Sequence, residues 1–390
     1  MKYHQNNLRS EYGHQKFGFA SDLIAERVLQ FHKSLPGYAA TPCPELAKLA
    51  AHLGIASVRV KDESKRFDLN AFKVLGASYA IASLLHERLG LDQNEFSFEC
   101  IKAHREKYQH LTLVTATDGN HGRAVAWAAQ KFGCTAQVFM PQGTLETRAQ
   151  AIRSYGATAQ ITELNYDDTV RLAAQTAKST DFFLVQDTAW DEYTQIPQII
   201  QQGYFSLISE GGEHAEWPTH VFVQAGVGSL PAALAARLHV MSKAGREMPQ
   251  FIVVEPTSAN CLFKSMADNN GSAVSIRGHL PTIMAGLACG TPSSIALSIL
   301  ADCASGFLSC DDGVAKRGMR VLGNPLATDP HITSGESGAV TLGALFELCT
   351  KPENAAMAEQ IGLNEQSRVL LFSTEGDTAP ELYRDIVWGN

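Results

Sequence analysis

The sequence predicts an α/β protein with open, mostly parallel sheets, helices on both faces, and two domains. Three observations predict it. Short β-rich runs alternate with helix-length runs, the pattern of strand–turn–helix units. A chain of 390 residues is longer than one simple hydrophobic core organises. Hydrophobic residues make up 45% and charged residues 18%, an ordinary globular balance, with no internal repeat and no low-complexity tract.

Taken in chain order, "SVRVKDES" (57–64) reads as a strand that feeds the helix-prone "AFKVLGASYAIASLLHERLG". "LTLVTATDGNHG" (111–122) is a strand ending in a glycine-containing turn, and "RAVAWAAQKFG" continues as a helix stopped by Gly133. "AQVFMPQGT" (136–144) precedes "LETRAQAIRSYGA", and "HVFVQAGVGSLP" (220–231) precedes "AALAARLHVMSKAG". "QFIVVEPTSA" and "RVLLFSTEGDT" (368–378) add two apolar strands. Parallel sheets bind ligands beyond their strand C-termini, so the turns after these runs are the places to look for chemistry.

Composition removes several classes. The net charge of −8, with no basic stripe, argues against a nucleic-acid partner. No apolar run approaches the roughly 20 residues of a membrane span. The polar N-terminus "MKYHQNNLRSEYGHQ" lacks the apolar centre of a signal peptide, so a cytoplasmic protein is expected. Eight cysteines at 43, 100, 134, 261, 289, 303, 310 and 349 form no C-x-x-C pair, which suits neither zinc nor a disulfide scaffold. The histidines show no metal-ligand spacing either, so no metal is expected.

"AFKVLGASYA" (71–80) puts Lys73 among apolar and small residues. A buried ammonium is costly unless paired, neutralised or tied up in an imine; a snorkelling lysine on a half-buried helix is the plain alternative. "QAGVGSLP" brings Gly226, Val227, Gly228, Ser229 and Leu230 to a strand-to-helix turn, where exposed amides at a helix N-terminus suit a phosphate. A dinucleotide fingerprint competes, with Glu255 ending the next strand, although Pro231 stands at the third glycine position. "TATDGNHG" crowds Thr117, Asp118, Asn120 and His121 into a turn whose donors can bind a carboxylate or phenolate oxygen. A plain tight turn reads equally well there. "RVLLFSTEGDT" delivers Ser373 and Thr374 to a strand end, where a neutral hydroxyl can face a heterocyclic nitrogen. A lysine, a single-phosphate cup, an asparagine turn and a hydroxyl-tipped strand together are what pyridoxal phosphate requires.

These residues carry a resemblance. The chain resembles the fold-type II pyridoxal-phosphate enzymes, the tryptophan synthase β-like group, through "NAFKVLG", "TDGNHG" and "GVGSL". Within the group it is most similar to the diaminopropionate ammonia-lyase family, through "VQDTAW" and "TDGNHGRAVAWAAQ", and the likeness runs from about residue 38 to 380. The resemblance implies a small domain at 82–203 inserted into a large domain of 1–81 and 204–390, with the cofactor in a cleft, in a homodimer. It implies α,β-elimination of ammonia from 2,3-diaminopropionate, of both D and L isomers, to pyruvate and two ammonia, an amino-acid-degrading activity. Lys73 would form the imine and move the proton, Asn120 and the glycine turn would hold the cofactor, and Asp118 and Asp187 would face the extra ammonium of this small amino-acid substrate. Asp118 is the candidate base for the D isomer. For Asp187 a helix N-cap stays open, since "DTAWDEY" begins like a capped helix. A dehydratase, a sulfhydrylase or synthase of the same fold, and a nicotinamide oxidoreductase are the rival enzymes; a binding protein that has lost catalysis is the non-enzymatic one.

Overall fold

Val, Ile, Leu and Phe dominate most of the runs expected as strands, and these become the interior of two sheets. The structure, a computed structural model, describes residues 1–9, 14–117, 119–211, 216–242 and 245–389. Its strands are β1 (Lys2–Gln5), β2 (Ser57–Asp62), β3 (Thr112–Ala116), β4 (Thr135–Met140) and β5 (Thr158–Ile161). They continue as β6 (Phe182–Leu184), β7 (His220–Gln224), β8 (Gln250–Pro256), β9 (Gly306–Cys310) and β10 (Arg368–Ser373). One sheet runs β1-β9-β8-β7-β10-β2 and the other β5-β4-β3-β6. Every pairing is parallel except β1 with β9. All residues of β7 and of β9 are buried, which explains why these runs lack polar–apolar alternation.

The polar N-terminus was not expected to be a strand. Lys2–Gln5 nevertheless pairs antiparallel with Ser309–Gly306, capping the sheet edge. An edge strand is held mainly by backbone bonds, so it needs little apolar character of its own. Gly306 admits it, because a Cβ there would stand 2.4 Å from the Tyr3 ring. The strands β5, β6 and β9 also escaped the sequence reading.

The chain forms two compact units, the first of Met1–Asp22, Ala40–Ala71 and Glu210–Asn390, the second of Leu23–Ala39 and Phe72–Ser209. The second unit therefore extends beyond the expected 82–203. Its helix Lys73–Leu89 crosses the helix Gln195–Gly203 with almost no gap: a Cβ on Gly203 would lie 2.5 Å from the Leu75 carbonyl oxygen. That contact takes the whole lysine-bearing helix into the second unit. The segment 23–39 joins it through His32, whose ring nitrogens meet Ser206 Oγ at 2.7 Å and the Leu75 carbonyl at 3.0 Å.

The first unit packs Val58, Phe222, Ile252, Leu308 and Leu371 into one core with its helices. The second buries Val114, Ala116, Phe139, Val170 and Ala173. Five of the eight cysteines are buried, as expected for small apolar side chains in a core. Among the described residues no helix is long and apolar enough to cross a membrane.

Candidate active site

In the second unit, Lys73 opens the helix Lys73–Leu89, with Nζ over the Phe72 ring at 5.4 Å. The ammonium donates to Oδ2 of Asp187, and the side chains of the two are 22% and 5% exposed. An unpaired charge was the puzzle of this stretch, and the structure answers with a counter-ion 114 residues away in sequence.

Asp187 is no N-cap. The next helix starts only at Gln195, and Trp190 and Tyr193 form a small antiparallel bridge in between. The segment just before Asp187 is held in place by several hydrogen bonds. Val185 N donates to the Val114 carbonyl at 2.9 Å. Gln186 is fully buried and accepts from Thr115 Oγ1 at 3.0 Å and from the Ala116 amide at 2.9 Å. The Tyr193 hydroxyl accepts from the Gln186 amide and donates to the Leu184 carbonyl, both at 2.9 Å. His121 Nε2 meets the Val185 carbonyl at 2.8 Å, so that nitrogen carries the proton, and Nδ1 lies 3.8 Å from Asp187 Oδ2. Burial alone would raise the Asp187 carboxyl, but His121 and Lys73 pull it down to about 2. It is ionised at neutral pH.

Thr117 and Asn120 flank Asp118, which lies outside the described residues. Thr117 is buried; its amide donates to the Phe139 carbonyl at 3.0 Å and its hydroxyl accepts from the Gly119 amide at 3.0 Å. Asn120 begins the helix Asn120–Phe132, so its backbone stands at the positive end of that helix.

In the first unit, Gly226 to Leu230 link β7 to the helix Ser229–Ser242. Among the described residues, the amides of Gly226, Val227 and Gly228 donate no hydrogen bond. Gly228 has φ +98°, a conformation that disfavours side chains, and a Cβ there would meet Ala296 and Leu262 at 3.2 Å. Three consecutive free amides at a helix N-terminus form an anion cradle. At the end of β10, Ser373 Oγ donates to Ser334 Oγ at 2.8 Å, and Thr374 Oγ1 accepts from Gln224 Nε2 at 2.6 Å. Both hydroxyls are buried.

The oxidoreductase reading rested on "GVGSL" and Glu255, and the structure weakens the second of these. Glu255 is fully buried, and its two carboxylate oxygens accept from the Leu262 amide at 2.9 Å and the Phe263 amide at 2.7 Å. Both oxygens are engaged by the fold, and the side chain has no exposed surface to offer a ribose.

Sequence reasoning missed three features. Gln224 is a polar end to the apolar run "HVFVQ", and that was its signal. The ring of Tyr204 packs on Phe72 at 4.8 Å, and burial pushes its phenol well above the ordinary range, so it stays neutral. Arg66 is buried between Glu63 and Glu210, with contacts of 2.7–2.9 Å to both carboxylates. It anchors the segment where Phe67, Asp68 and Asn70 adopt positive φ. That segment returns to β10 through Gly376 N to the Asn70 carbonyl at 2.8 Å, three residues before Lys73. Such strain persists only where surrounding contacts enforce it.

The lysine, the free amides and the two buried hydroxyls are the donor and acceptor types that pyridoxal phosphate needs, and by that test the residues fit the group. A family model described as pyridoxal-phosphate dependent enzyme matches residues 35–370. A diaminopropionate ammonia-lyase of Salmonella typhimurium is 45% identical over 100% of this chain and 98% of its own length. The diaminopropionate ammonia lyase of Escherichia coli, solved with an aminoacrylate–PLP azomethine reaction intermediate, superposes with TM-score 0.89 at 43% identity. The match covers 99% of this chain and 96% of that one. The same enzyme solved with D-serine superposes with TM-score 0.90 at 42% identity, with the same coverage.

Proposed function

Because the chain belongs to the pyridoxal-phosphate-dependent enzyme family and to its diaminopropionate ammonia-lyases, we propose that it eliminates ammonia from 2,3-diaminopropionate. With one water, the substrate yields pyruvate and two ammonia. The cofactor is pyridoxal phosphate. The carrying observation is Asp187, a buried carboxylate that ion-pairs with Lys73 and lies 3.8 Å from His121. An ammonium leaves as neutral ammonia and needs no proton from the enzyme, whereas hydroxide departure needs an acid. An ionised carboxylate suits the first reaction and cannot serve the second.

When bound, pyridoxal phosphate supplies an electron sink for the substrate Cα–H bond. Lys73 supplies the amine that holds the cofactor covalently, and it accepts the Cα proton of the L isomer. Asp187 holds the β-ammonium. The amides of Gly226, Val227, Gly228, Ser229 and Leu230 would hold the phosphate, and Asn120 would donate to the phenolic oxygen. Thr117 and His121 would contact the substrate, and Ser373 and Thr374 would serve the pyridine end. Asp118 is the proposed acceptor of the D isomer's proton. The same reading extends to a homodimeric, cytoplasmic enzyme of amino-acid breakdown.

The test is pyruvate and ammonia release from D- and L-diaminopropionate, serine and acetylserine in parallel. Fastest release from diaminopropionate is expected; faster turnover of serine would overturn the substrate assignment. Asp118→Asn is expected to lower D-isomer turnover by about 100-fold or more, the usual worth of a general base, while L-isomer turnover falls far less. Equal losses would make Asp118 a binding or structural residue.

Gly228→Val tests the phosphate cradle. Strain at positive φ and a Cβ 3.2 Å from Leu262 should weaken cofactor retention by about tenfold while circular dichroism stays unchanged. Visible absorbance remaining after dialysis reads the effect. Unchanged retention would move the cradle elsewhere.

A further inference from the structure

One buried hydroxyl beside the Lys73–Asp187 pair has nothing to bond. Tyr204 follows the helix Gln195–Gly203 and is fully buried, yet its Oη has no hydrogen-bond partner among the described residues. Contacts hold it in place. Its amide donates to the Gln201 carbonyl at 3.1 Å, and its carbonyl accepts from the Leu207 amide at 3.1 Å. Its ring packs on Phe72 at 4.8 Å, and Lys73 Nζ lies 5.4 Å from the centroid of that same Phe72 ring. Cε1, the ring carbon next to the one bearing the hydroxyl, stands 2.7 Å from where a Cβ on Gly76 would be. The phenol therefore lies against the first turn of the helix Lys73–Leu89. Burial raises it most, Lys73 pulls it down and Asp187 pushes it up, so both charges reach it. It keeps its proton, and a buried donor without an acceptor is a cost that calls for an explanation.

We propose that Tyr204 is a positioning residue for Asp187: its hydroxyl donates to Asp187 Oδ2 whenever the Lys73 nitrogen is engaged by the cofactor. In the structure the Lys73 ammonium takes Oδ2, while Gln186 Nε2 lies 3.4 Å from Oδ1. Pyridoxal phosphate takes up the lysine by exchanging its aldehyde C=O for C=N. The ammonium gives two hydrogens to the departing oxygen, which leaves as water, and keeps the third. Three N–H donors become one, on a nitrogen now bonded to the cofactor. Asp187 then holds its charge inside the protein with that ammonium withdrawn, a costly state. A neutral phenol suits the gap, because it hydrogen-bonds a carboxylate without protonating it. The β-ammonium of the substrate displaces the phenol in turn and meets a carboxylate already ionised and oriented. The inference rests on the proposed cofactor and substrate, and the test separates its failure from theirs.

The full-length apo-protein is titrated with pyridoxal phosphate and with pyridoxine 5′-phosphate, whose CH2OH group cannot take up the Lys73 nitrogen. Tyr204→Phe keeps the ring on Phe72 and removes only the hydroxyl. It should weaken pyridoxal phosphate binding by about tenfold or more, the worth of one hydrogen bond to a charged group. Binding of pyridoxine phosphate should change by less than about twofold, since Lys73 then stays on Asp187. A ring with a merely structural role, or a hydroxyl reserved for the buried Gln201 one turn earlier, would shift both ligands alike or neither. Either result overturns the inference while the function stands. Unfolding of the apo-protein in urea gives a reading free of cofactor. With Lys73 present, Tyr204→Phe should leave the midpoint unchanged or raise it, because it deletes an unpartnered donor. In a Lys73→Met background the ammonium is gone, and Tyr204→Phe should lower the folding equilibrium constant by about tenfold. The same effect in both backgrounds overturns the inference, and if Lys73→Met does not fold the titration decides alone. Failure of the wild type to bind pyridoxal phosphate at all overturns the function itself.

Discussion

Lys73→Ala is expected to lower steady pyruvate formation by about 10⁴-fold or more, the upper end of what one acid–base group contributes. On the proposed function the amine is needed twice, for holding the cofactor and for moving the Cα proton. The substitution also leaves the Asp187 carboxylate buried without its ammonium, which costs about 1–3 kcal/mol of stability. Lys73→Arg separates these effects. A guanidinium keeps the positive charge opposite Asp187 but is neither nucleophilic nor a proton acceptor at neutral pH. The arginine variant should therefore recover the melting temperature and none of the turnover. Both variants should retain some cofactor through the cradle at Gly226 to Gly228, read by phosphate-dependent binding after dialysis. Turnover within tenfold of wild type in either variant would dismiss Lys73 as the reactive amine.

Asp187→Asn is expected to reduce turnover of both isomers by about 100- to 1000-fold, within the range for loss of a charged group acting at the reacting centre. Asparagine keeps the size of the side chain but loses the charge that Lys73 and a β-ammonium both require. The same substitution carries a pH signature. The folded-state carboxyl titrates at about 2 against an ordinary value of 3.8. A depressed carboxyl stabilises the fold above its unfolded value, and that contribution is lost as pH falls through the folded one. Wild type should exceed Asp187→Asn in denaturation midpoint at pH 6, and the gap should close between about pH 4 and pH 2. A gap independent of pH would show that Asp187 carries no charge in the folded protein. Isomer selectivity adds a contrast: Asp187→Asn should spare neither isomer, whereas the loss in Asp118→Asn should fall mainly on D.

Local sequence was enough for much of the fold. The runs at 57–64, 111–116, 220–224 and 368–373 are dense in β-branched and apolar residues and became β2, β3, β7 and β10. The turns after them held the expected glycine and hydroxyl residues. What escaped was the structure whose stability is not local. Lys2–Gln5 has no apolar pattern and is a strand because β9 offers it a free edge. The three residues of β6 are too few for periodicity to register, and they are ordered by pairing with β3.

The candidate site divides in the same way. Lys73, the glycine turn from Gly226 to Leu230 and the hydroxyls of Ser373 and Thr374 were legible because each is a residue type at odds with its surroundings. Their partners were not. Asp187 looked equally like an N-cap, and only the folded chain sets it against Lys73 and His121. Glu255 looked like a ribose acceptor, and only the turn at Leu262 and Phe263 shows both its oxygens occupied. Arg66 meets Glu210 across 144 residues, and Gln224 meets Thr374 across 150.

By itself, then, the sequence determined the α/β class and the family resemblance, and it singled out Lys73 and the glycine turn as candidates. Those features depend on residue identity and on spacing within one strand–turn–helix unit, where covalent geometry limits the options. The tertiary structure alone decided which charges are paired and which carboxylate stays ionised. Electrostatic and hydrogen-bond energies depend on distance, burial and orientation in space, and a chain that returns on itself after more than a hundred residues sets those three through its packing as a whole.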